Sequence, residues 1–282
     1  MKIKFGVNTL VWVLSFSEKD ISLIDKVKGF GFDVIEITPG DEFRKINPAN
    51  LRRKLEEVKL EVSLCGAFDA STDISSKDPD VRKRSIEFMK EYTSWAKEVG
   101  ARIIGGPLYS ELGKKRYIPD EERKAEWDRS ADSLKWIGDD AAKKGVVIAL
   151  EPINRFEIDM INTSEQAFQM CEEVNHPSIK MMLDTFHMNI EDKKIGDAIR
   201  ASKKHLVHLH TCANNRGIPG DDHIPWDEVN RALNDINYNG YGVIESFAKG
   251  QVAAFANIWR SLVKNQDDIP REGLKFLRSV LR

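Results

Sequence analysis

Four short apolar runs each end in a side chain that can bind a metal ion. Each run has five or six residues and is rich in Val, Ile and Leu, as is typical of strands buried on both faces. In successive parallel strands of one closed sheet, all four ends would lie on the same rim. Two glutamates, an aspartate and an imidazole would then form an octahedral site with open positions for water or substrate. The runs are Val146-Val-Ile-Ala-Leu-Glu151, Ile179-Lys-Met-Met-Leu-Asp184, Leu206-Val-His-Leu-His210 and Tyr241-Gly-Val-Ile-Glu245.

A shared metal ion explains this set better than four separate structural roles. Any single carboxylate at a strand end can be a rim residue paired with an arginine. Several buried carboxylates without a cation would repel one another and would be costly to desolvate. Cys212 lies on the face of His210 and is either a soft ligand or, as we expect, a packed structural cysteine. Three oxygen ligands and an imidazole favour a hard divalent ion, Mn²⁺, Mg²⁺ or Co²⁺, over a thiolate-rich zinc site.

The other histidines have less specific predictions. His208 shares the face of His210 one layer deeper, and we expect a hydrogen-bonded interior residue. His176 and His205 lie near predicted loops and are expected to face solvent. His223 lies in a loop predicted to cover the rim, where it is a further candidate for closing the site.

Strand-like and helix-like segments alternate eight times along the chain, which favours a parallel sheet. Eight such units in 282 residues predict a single (β/α)8 TIM barrel over residues 1–282, with an extra helix at the C-terminus. An open doubly wound sheet is the alternative, but no GxGxxG turn follows the first strand, where the sequence is Asn8-Thr-Leu-Val-Trp-Val. Predicted helices include 20–30, 79–99, 120–144 and 252–263, and the segment that follows Asp184 is predicted as a loop.

Composition excludes several other classes of protein. The formal charge of −2 provides no general basic surface for nucleic acid, and no apolar run is as long as a membrane span. The start, Met1-Lys-Ile-Lys-Phe-Gly-Val, does not have the pattern of a signal peptide. Three widely spaced cysteines without a CxxC motif are typical of reduced thiols, so a cytoplasmic protein is expected.

Groups suited to binding a polyol follow the predicted ligands. Glu157 follows Glu151 by six residues, His187 follows Asp184 by three, and Arg216 follows His210 by six. Each would lie just beyond a strand end, where groups that position a substrate belong. Aromatic candidates for the apolar walls of the pocket are Trp12, Phe68, Phe186 and Phe247.

These motifs resemble the D-tagatose 3-epimerase / D-allulose (D-psicose) 3-epimerase family of xylose-isomerase-like barrels, over nearly the whole chain. The segments that carry the likeness are Glu151-Pro-Ile-Asn-Arg-Phe-Glu157, Leu183-Asp-Thr-Phe-His-Met-Asn-Ile-Glu191, His208-Leu-His210, Asn215-Arg-Gly-Ile-Pro-Gly220 and Ile244-Glu-Ser-Phe247.

The resemblance implies specific roles. Glu151, Asp184, His210 and Glu245 would bind the metal, and Glu151 and Glu245 would also be the catalytic pair. Glu157, His187 and Arg216 would hold the sugar near C1–C3, and Cys65 and Gly66 would line the pocket. Many relatives have a Glu where this chain has Ala213, and an aromatic residue in the first strand where it has Gly6-Val-Asn8. Both differences lie near the substrate and leave its identity open.

The implied activity is inversion at C3 of a free ketohexose or ketopentose, such as the pairs D-tagatose/D-sorbose, D-fructose/D-allulose or ribulose/xylulose. The metal would polarise the ketose, one glutamate would remove the C3 proton, and the other would return a proton to the opposite face of an enediolate. Mn²⁺ or Co²⁺ is expected, Mg²⁺ is possible, and no organic cofactor is needed. A homodimer or homotetramer is also implied.

Three rival functions remain at this point. A hydroxypyruvate isomerase or inosose dehydratase would use the same ligands on the same scaffold. An endonuclease with several zinc ions would need further ligands from earlier strands, yet no histidine precedes His176, and the charge is slightly negative. A non-catalytic sugar-binding module would not need two opposed glutamates on the metal.

Overall fold

Eight parallel strands form a closed barrel in which each strand pairs with the next along the chain and β1 pairs with β8. The computed structural model describes residues 2–247 and 250–282. This topology confirms the predicted (β/α)8 barrel. The strands are β1 (Lys4–Asn8), β2 (Val34–Ile37), β3 (Glu61–Cys65), β4 (Ile103–Gly106), β5 (Val147–Leu150), β6 (Ile179–Asp184), β7 (Leu206–His210) and β8 (Tyr241–Ile244).

Ten α-helices surround the barrel within the described ranges, and they include the extra C-terminal helix. Local sequence signals set many of their ends: Pro48 and Pro79 begin helices behind capping Asn47 and Asp78, and Gly100 and Gly145 end helices in the left-handed conformation. The helices are α1 (Leu23–Phe30), α2 (Pro48–Val58), α3 (Pro79–Val99), α4 (Asp120–Lys144), α5 (Ser164–Val174), α6 (Thr185–Glu191), α7 (Ile195–Ala201), α8 (Trp226–Asp235), α9 (Gly250–Phe255) and α10 (Asp268–Val280).

A membrane span would need a long apolar helix, and none of the helices in these two ranges meets that requirement.

Three predicted segments differ from the structure. The loop predicted after Asp184 is wrong: α6 begins there, because the Asp184 carboxylate accepts the backbone N–H of Phe186 and caps the helix. The helix predicted over 252–263 ends at Phe255, because Asn257 adopts a positive φ of 56°. The helix predicted over 20–30 begins only at Leu23, after a short 3₁₀ turn over Glu18–Asp20.

The register of the first strands places polar side chains in one row inside the barrel. Asn8 of β1 is paired with Glu36 of β2, which is paired with Ser63 of β3. All three are fully buried. Because side chains alternate along a strand, this row lies on one face of the sheet. A polar layer therefore lies beneath the rim on which the strand ends meet.

Gly106, the last residue of β4, has a close backbone contact that no other residue type could make. Its φ is 126°, and an added Cβ would lie 2.0 Å from the carbonyl oxygen of Gly66. We expect Gly106→Ala to lower the free energy of unfolding by about 3 kcal/mol in chemical denaturation, from strain and the steric clash together. Gly100→Ala is the matched control: Gly100 also has a positive φ, 89°, but no atom lies within 4 Å of its added Cβ. That variant should lose only about 1 kcal/mol. Equal losses would show that the contact with Gly66 does not matter.

Candidate metal centre and active site

The four predicted ligands lie together at the carboxyl ends of their strands. Asp184 and His210 are the last residues of β6 and β7, and Glu151 and Glu245 directly follow β5 and β8. All four are buried. Nδ1 of His210 lies 3.4 Å from Oε1 of Glu151, 3.9 Å from Oδ2 of Asp184 and 3.5 Å from Oε2 of Glu245. One imidazole nitrogen is thus surrounded by three carboxylates from three different strand ends.

The arrangement fits a divalent cation. One possible ligand atom from each of Glu151, Asp184 and His210 lies within 4.8 Å of the other two. Within residues 2–247 and 250–282, Oε1 of Glu151 and Nδ1 of His210 are buried without a hydrogen-bond partner. Buried polar atoms are normally satisfied, so both atoms point to a missing partner. Carboxylate oxygens with one imidazole are the ligands of hard divalent ions.

Arg216 contributes positive charge to the same cluster. Its Nη1 donates to Oδ2 of Asp184 at 2.6 Å and lies 3.0 Å from Oε2 of Glu245. The guanidinium stacks on the rings of Phe186 and Phe247, with its carbon 4.0 Å and 5.2 Å from the two ring centroids. The backbone of Arg216 has a φ of 64°. The residue therefore balances carboxylate charge while two aromatic rings contact its side chain.

The two glutamates have different electrostatic environments. Burial raises the pKa of Glu151 to about 7, and the positive charge of His210 only partly opposes this rise. Burial also acts on Glu245, but the charges of His210 and Arg216 outweigh it and lower the pKa of that carboxyl. In the ion-free protein near neutral pH, the carboxyl group of Glu151 is thus present in both its protonated and its ionised form, whereas Glu245 is ionised.

Sequence reasoning missed Glu36, a fully buried carboxylate of β2. Its Oε1 accepts from Nε2 of His210 at 2.6 Å, and its Oε2 lies 2.8 Å from Nε2 of His208. Oε2 also accepts from the Ser63 hydroxyl. Burial would raise the pKa of Glu36, but the charges of His210 and His208 outweigh it and hold the pKa far below its usual range. A glutamate inside the apolar strand Val34–Ile37 was the available signal, because a buried charge requires partners.

Asn8 connects Glu36 to the four predicted ligands. Its Nδ2 donates to Oε1 of Glu36 at 2.9 Å and to Oε1 of Glu245 at 3.4 Å. The orientation of the amide is fixed, because Oδ1 accepts from the backbone N–H of Leu10 and from the Thr38 hydroxyl. Asn8 therefore presents only donors to the two carboxylates.

Glu157 and His187 lie on the other side of the cluster and are joined by Asn154. The backbone N–H of Asn154 donates to Nδ1 of His187 at 3.1 Å, and its side-chain amide donates to Glu157 at 2.7 Å. Burial, together with the charge of Arg216, lowers the pKa of His187 well below its ordinary value. The ring is therefore neutral. Both of its nitrogens face donors: Nδ1 faces the backbone N–H of Asn154, and Nε2 lies 3.2 Å from Nη2 of Arg216.

A cavity of about 300 Å³ opens above these residues. Its polar end consists of Glu151, Glu157, His187, Arg216 and Glu245, and its remaining walls are largely apolar. The structure brings Cys65 and Gly66 into the wall, as the resemblance implied, and also the aromatic candidate Phe247. Further apolar wall residues are Leu10, Leu14, Tyr92, Leu108, Leu112 and Phe255.

Trp12 does not line this cavity, contrary to expectation. Its indole Nε1–H donates to Asp267 at 2.6 Å, and its ring lies parallel to that of Phe30 with centroids 6.4 Å apart. The backbone turns after β1, so the indole packs towards the C-terminal part of the chain. Phe68 and Phe186 are also absent from the lining residues.

The remaining histidine predictions have mixed outcomes. The expectation that His205 faces solvent is wrong, because His205 is 5 % exposed and contacts Glu172. His176 is partly exposed, and its Nδ1 accepts from the backbone N–H of Ser178. His223 is exposed and pairs with Asn189 instead of entering the cavity. Cys212 is buried, with its Sγ accepting from Arg216 at 3.2 Å.

Comparisons with known proteins identify the family. The profile of the family described as Xylose isomerase-like TIM barrel matches residues 24–280. The chain is 35% identical to the D-psicose 3-epimerase of Ruminiclostridium cellulolyticum, over 99% of this chain and 98% of the relative. The chain belongs to the ketose 3-epimerases of the xylose isomerase-like TIM barrel family. It is also 32% identical to a probable ketose 3-epimerase of Synechocystis sp., over 99% of this chain and 97% of that protein.

Solved structures of ketose 3-epimerases have the same backbone. The D-psicose 3-epimerase of Clostridium cellulolyticum H10, solved with D-tagatose, has a TM-score of 0.92 at 32% identity, covering 99% of this chain and all of that chain. Family membership confirms the prediction of an enzyme of the carbohydrate isomerase class.

Proposed function

We propose that this protein is a metal-dependent 3-epimerase of a free ketohexose or ketopentose. One observation carries the proposal: Glu151 and Glu245, at strand ends separated by β6 and β7, both lie within 3.5 Å of Nδ1 of His210 beside a cavity. Inversion at a carbon requires that a proton leave one face and arrive at the other. Two carboxylates at different strand ends provide the two proton-transfer groups for this reaction.

Glu151, Asp184, His210 and Glu245 would hold the ion, with His210 contributing Nδ1. When bound, a divalent ion supplies Lewis-acid polarisation of the ketose carbonyl and hydroxyl, which acidifies the C3 hydrogen. The orphaned atoms Oε1 of Glu151 and Nδ1 of His210 support this assignment. Mn²⁺ or Co²⁺ suits the donor set, and Mg²⁺ is an alternative.

The proton transfers are assigned to the two glutamates. In one direction, a carboxylate oxygen of Glu245 accepts the C3 proton from one face of the sugar, and Glu151 delivers a proton to the other face. In the reverse direction the two exchange roles. Each glutamate has two carboxylate oxygens, so one oxygen can hold the ion while the other exchanges the proton with the sugar. Asn8 and Arg216 hold opposite oxygens of Glu245, which limits rotation of the carboxylate.

The neighbouring polar groups would orient the sugar. Arg216 donates only, Glu157 accepts when ionised, and neutral His187 has one donor and one acceptor nitrogen, so together they suit the hydroxyl groups next to the reacting carbon. Arg216 is already paired with Asp184 and Glu245. Among the described residues that line the cavity it is the sole Lys or Arg, so this part of the lining offers a phosphate no spare cation. This observation supports a free sugar as the substrate.

The position of solvent deuterium in the sugar tests the proposed reaction. The protein is treated with chelator, supplied with Mn²⁺ or Co²⁺ in D₂O, and incubated with D-fructose, D-tagatose or a ribulose, followed by NMR. We expect the 3-epimer to appear with deuterium at C3 and no product without added ion. Deuterium at C1 with an aldose product would instead establish an aldose–ketose isomerase. Loss of water would establish a dehydratase.

Ion binding is expected to strengthen as pH rises from about 5.5 to 7.5. Burial would lower the pKa of His210, but Glu36 and Glu245 outweigh it and raise that pKa well above its ordinary value. The pKa of Glu151 is about 7. Both groups must lose a proton to bind a cation, so binding near pH 6 should release about one to two protons per ion. Calorimetry in buffers of different protonation enthalpy measures this number. Affinity that is independent of pH over the range would contradict the prediction.

We also propose that residues 1–282 act as one domain, in the cytoplasm, as a homodimer or homotetramer. The aromatic side chains that would be available for contacts between copies are those at least 66 % exposed, Tyr117, Trp136, Phe156 and Trp259. Light scattering coupled to gel filtration measures the assembly, and a monomer at micromolar concentration would exclude it.

A further inference from the structure

We infer that Glu36 is a positioning residue that fixes the orientation and tautomer of His210, so that Nδ1 of the imidazole faces the three carboxylates. This inference rests on the proposed metal site. It concerns a residue of β2 that contributes no group to the cavity wall. Glu36 acts through the histidine and does not touch the substrate.

The contacts of Glu36 define its function as an acceptor. Its Oε1 accepts from Nδ2 of Asn8, an amide nitrogen that can only donate. The same oxygen lies 2.6 Å from Nε2 of His210. Oε1 thus already accepts one hydrogen bond, and Oε2 of the same carboxylate accepts from Ser63. Because both oxygens act as acceptors, Oε1 accepts a second hydrogen bond, from the imidazole ring. The proton of a neutral His210 must therefore lie on Nε2, which leaves the lone pair on Nδ1.

The lone pair on Nδ1 is directed at the predicted cation. Nδ1 has three carboxylate oxygens within 3.9 Å and no hydrogen-bond partner among the described residues. Without Glu36, the ring could carry its proton on Nδ1 or rotate about its Cβ–Cγ bond. Either change would remove the nitrogen ligand. Hydrogen bonds from ligating histidines to carboxylates have this orienting effect in metal sites generally, and losing them weakens ion binding about 10- to 100-fold.

Asn8 extends the effect of Glu36 to a second ligand. It donates to Oε1 of both Glu36 and Glu245 and cannot rotate without losing its bonds from Leu10 and Thr38. Glu36 on β2 is thereby connected to two predicted ligands, His210 at the end of β7 and Glu245 just after β8. Because the ring and both acids are fully or almost fully buried, no solvent can replace these contacts.

Mn²⁺ titrations of wild type and of Glu36→Ala and Glu36→Gln test the inference. Electron paramagnetic resonance of free Mn²⁺ gives both affinity and stoichiometry, and the visible spectrum of the Co²⁺-loaded protein reports the ligand geometry. We expect one ion per wild-type chain. Affinity should fall about 100-fold in Glu36→Ala and about 10-fold in Glu36→Gln, whose amide oxygen still accepts a hydrogen bond. The Co²⁺ spectrum at saturation should shift in both variants.

Glu126→Gln is the matched control. Glu126 is a buried carboxylate on α4, paired with Arg116 at 2.8 Å and outside the cluster. Its replacement should change stability without changing Mn²⁺ affinity or the Co²⁺ spectrum. If Glu36→Ala does not fold, as judged by circular dichroism, the isosteric Glu36→Gln decides the question alone.

Three other results of these titrations would each overturn the inference for a different reason. Mn²⁺ affinity within twofold of wild type in Glu36→Gln, with an unchanged Co²⁺ spectrum, would overturn the positioning role while leaving the metal site intact. Two ions per chain, one of them lost with Glu36, would instead make Glu36, His208 and His210 a second ligand set and also overturn it. A wild-type protein that binds no divalent ion would remove the proposed function and, with it, this inference.

Discussion

Glu151→Gln and Glu245→Gln are each expected to lower kcat for C3 epimerisation by about 10³- to 10⁴-fold, because each removes one of two groups that exchange a proton with the sugar. The side chains keep their size, so the cavity keeps its shape. Initial rates with a free ketose and saturating Mn²⁺ measure the effect. Glu126→Gln, which removes a buried carboxylate outside the cluster, should keep the wild-type rate.

Exchange of the C3 hydrogen with solvent, measured without epimerisation, distinguishes the roles of the two glutamates. A protein with one remaining carboxylate can still remove and return the C3 proton on one face. In D₂O, Glu151→Gln should therefore exchange C3–H of one epimer, and Glu245→Gln should exchange that of the other. If both variants epimerise at near-normal rates with the ion bound, the two-base scheme is wrong. Exchange of the same epimer by both variants would show that the two glutamates act on one face.

Arg216→Ala is expected to lower the free energy of unfolding of the ion-free protein by about 3–5 kcal/mol. The guanidinium is buried and lies 2.6 Å from Asp184 and 3.0 Å from Glu245, so its removal leaves carboxylates in a low-dielectric interior without that cation. Denaturant unfolding in the presence of chelator measures the loss. Added Mn²⁺ at about 100 times the Kd of the variant should stabilise it by about 2.7 kcal/mol, as expected for an ion that binds only the folded state.

Arg155→Ala is the control for Arg216→Ala. Arg155 also pairs with a carboxylate, that of Glu191 at 2.9 Å, but its side chain is 63 % exposed. Exposed pairs contribute about 0–1 kcal/mol, so this variant should be nearly as stable as wild type, with or without ion. Equal losses in the two variants would contradict the assignment of Arg216 to the charge balance of the site.

The strand ends could be predicted because their signal is local. Each apolar run ends in a side chain that can bind a metal ion, and a parallel barrel brings every such end to one rim whatever the details of its packing. Glu151, Asp184, His210 and Glu245 therefore meet as expected, and β6 and β7 have the predicted boundaries. Helices α3 and α4 also begin and end as predicted, because a proline or a glycine lies at their ends.

Glu36 could not be assigned in the same way, because its partners are far away in the sequence. It lies 174 positions from His210 and meets it only because the barrel closes. The apolar neighbours of Glu36 indicated a strand but not which side chain its carboxylate would contact. Asn8 is likewise connected to Glu245 across 237 positions.

Side-chain direction explains the remaining errors. Trp12 follows β1 closely enough to be placed at the rim, yet its indole turns away to Asp267. His205 lies beside a turn, but its ring packs edge to face on Phe168 of α5 with centroids 5.1 Å apart. Helix α6 is seven residues long, and its capping Asp184 was assigned to the metal alone. Local sequence patterns predict neither which distant element a side chain will contact nor that one side chain, such as Asp184, will have two roles.

Anomalous diffraction from crystals grown with Mn²⁺ tests most directly whether the four strand-end residues hold one cation. The account predicts a single strong peak within about 2–2.5 Å of carboxylate oxygens from Glu151, Asp184 and Glu245 and of Nδ1 of His210. Nε2 of the same ring should remain hydrogen-bonded to Glu36. A peak elsewhere, or no peak at an ion concentration that supports turnover, would contradict it.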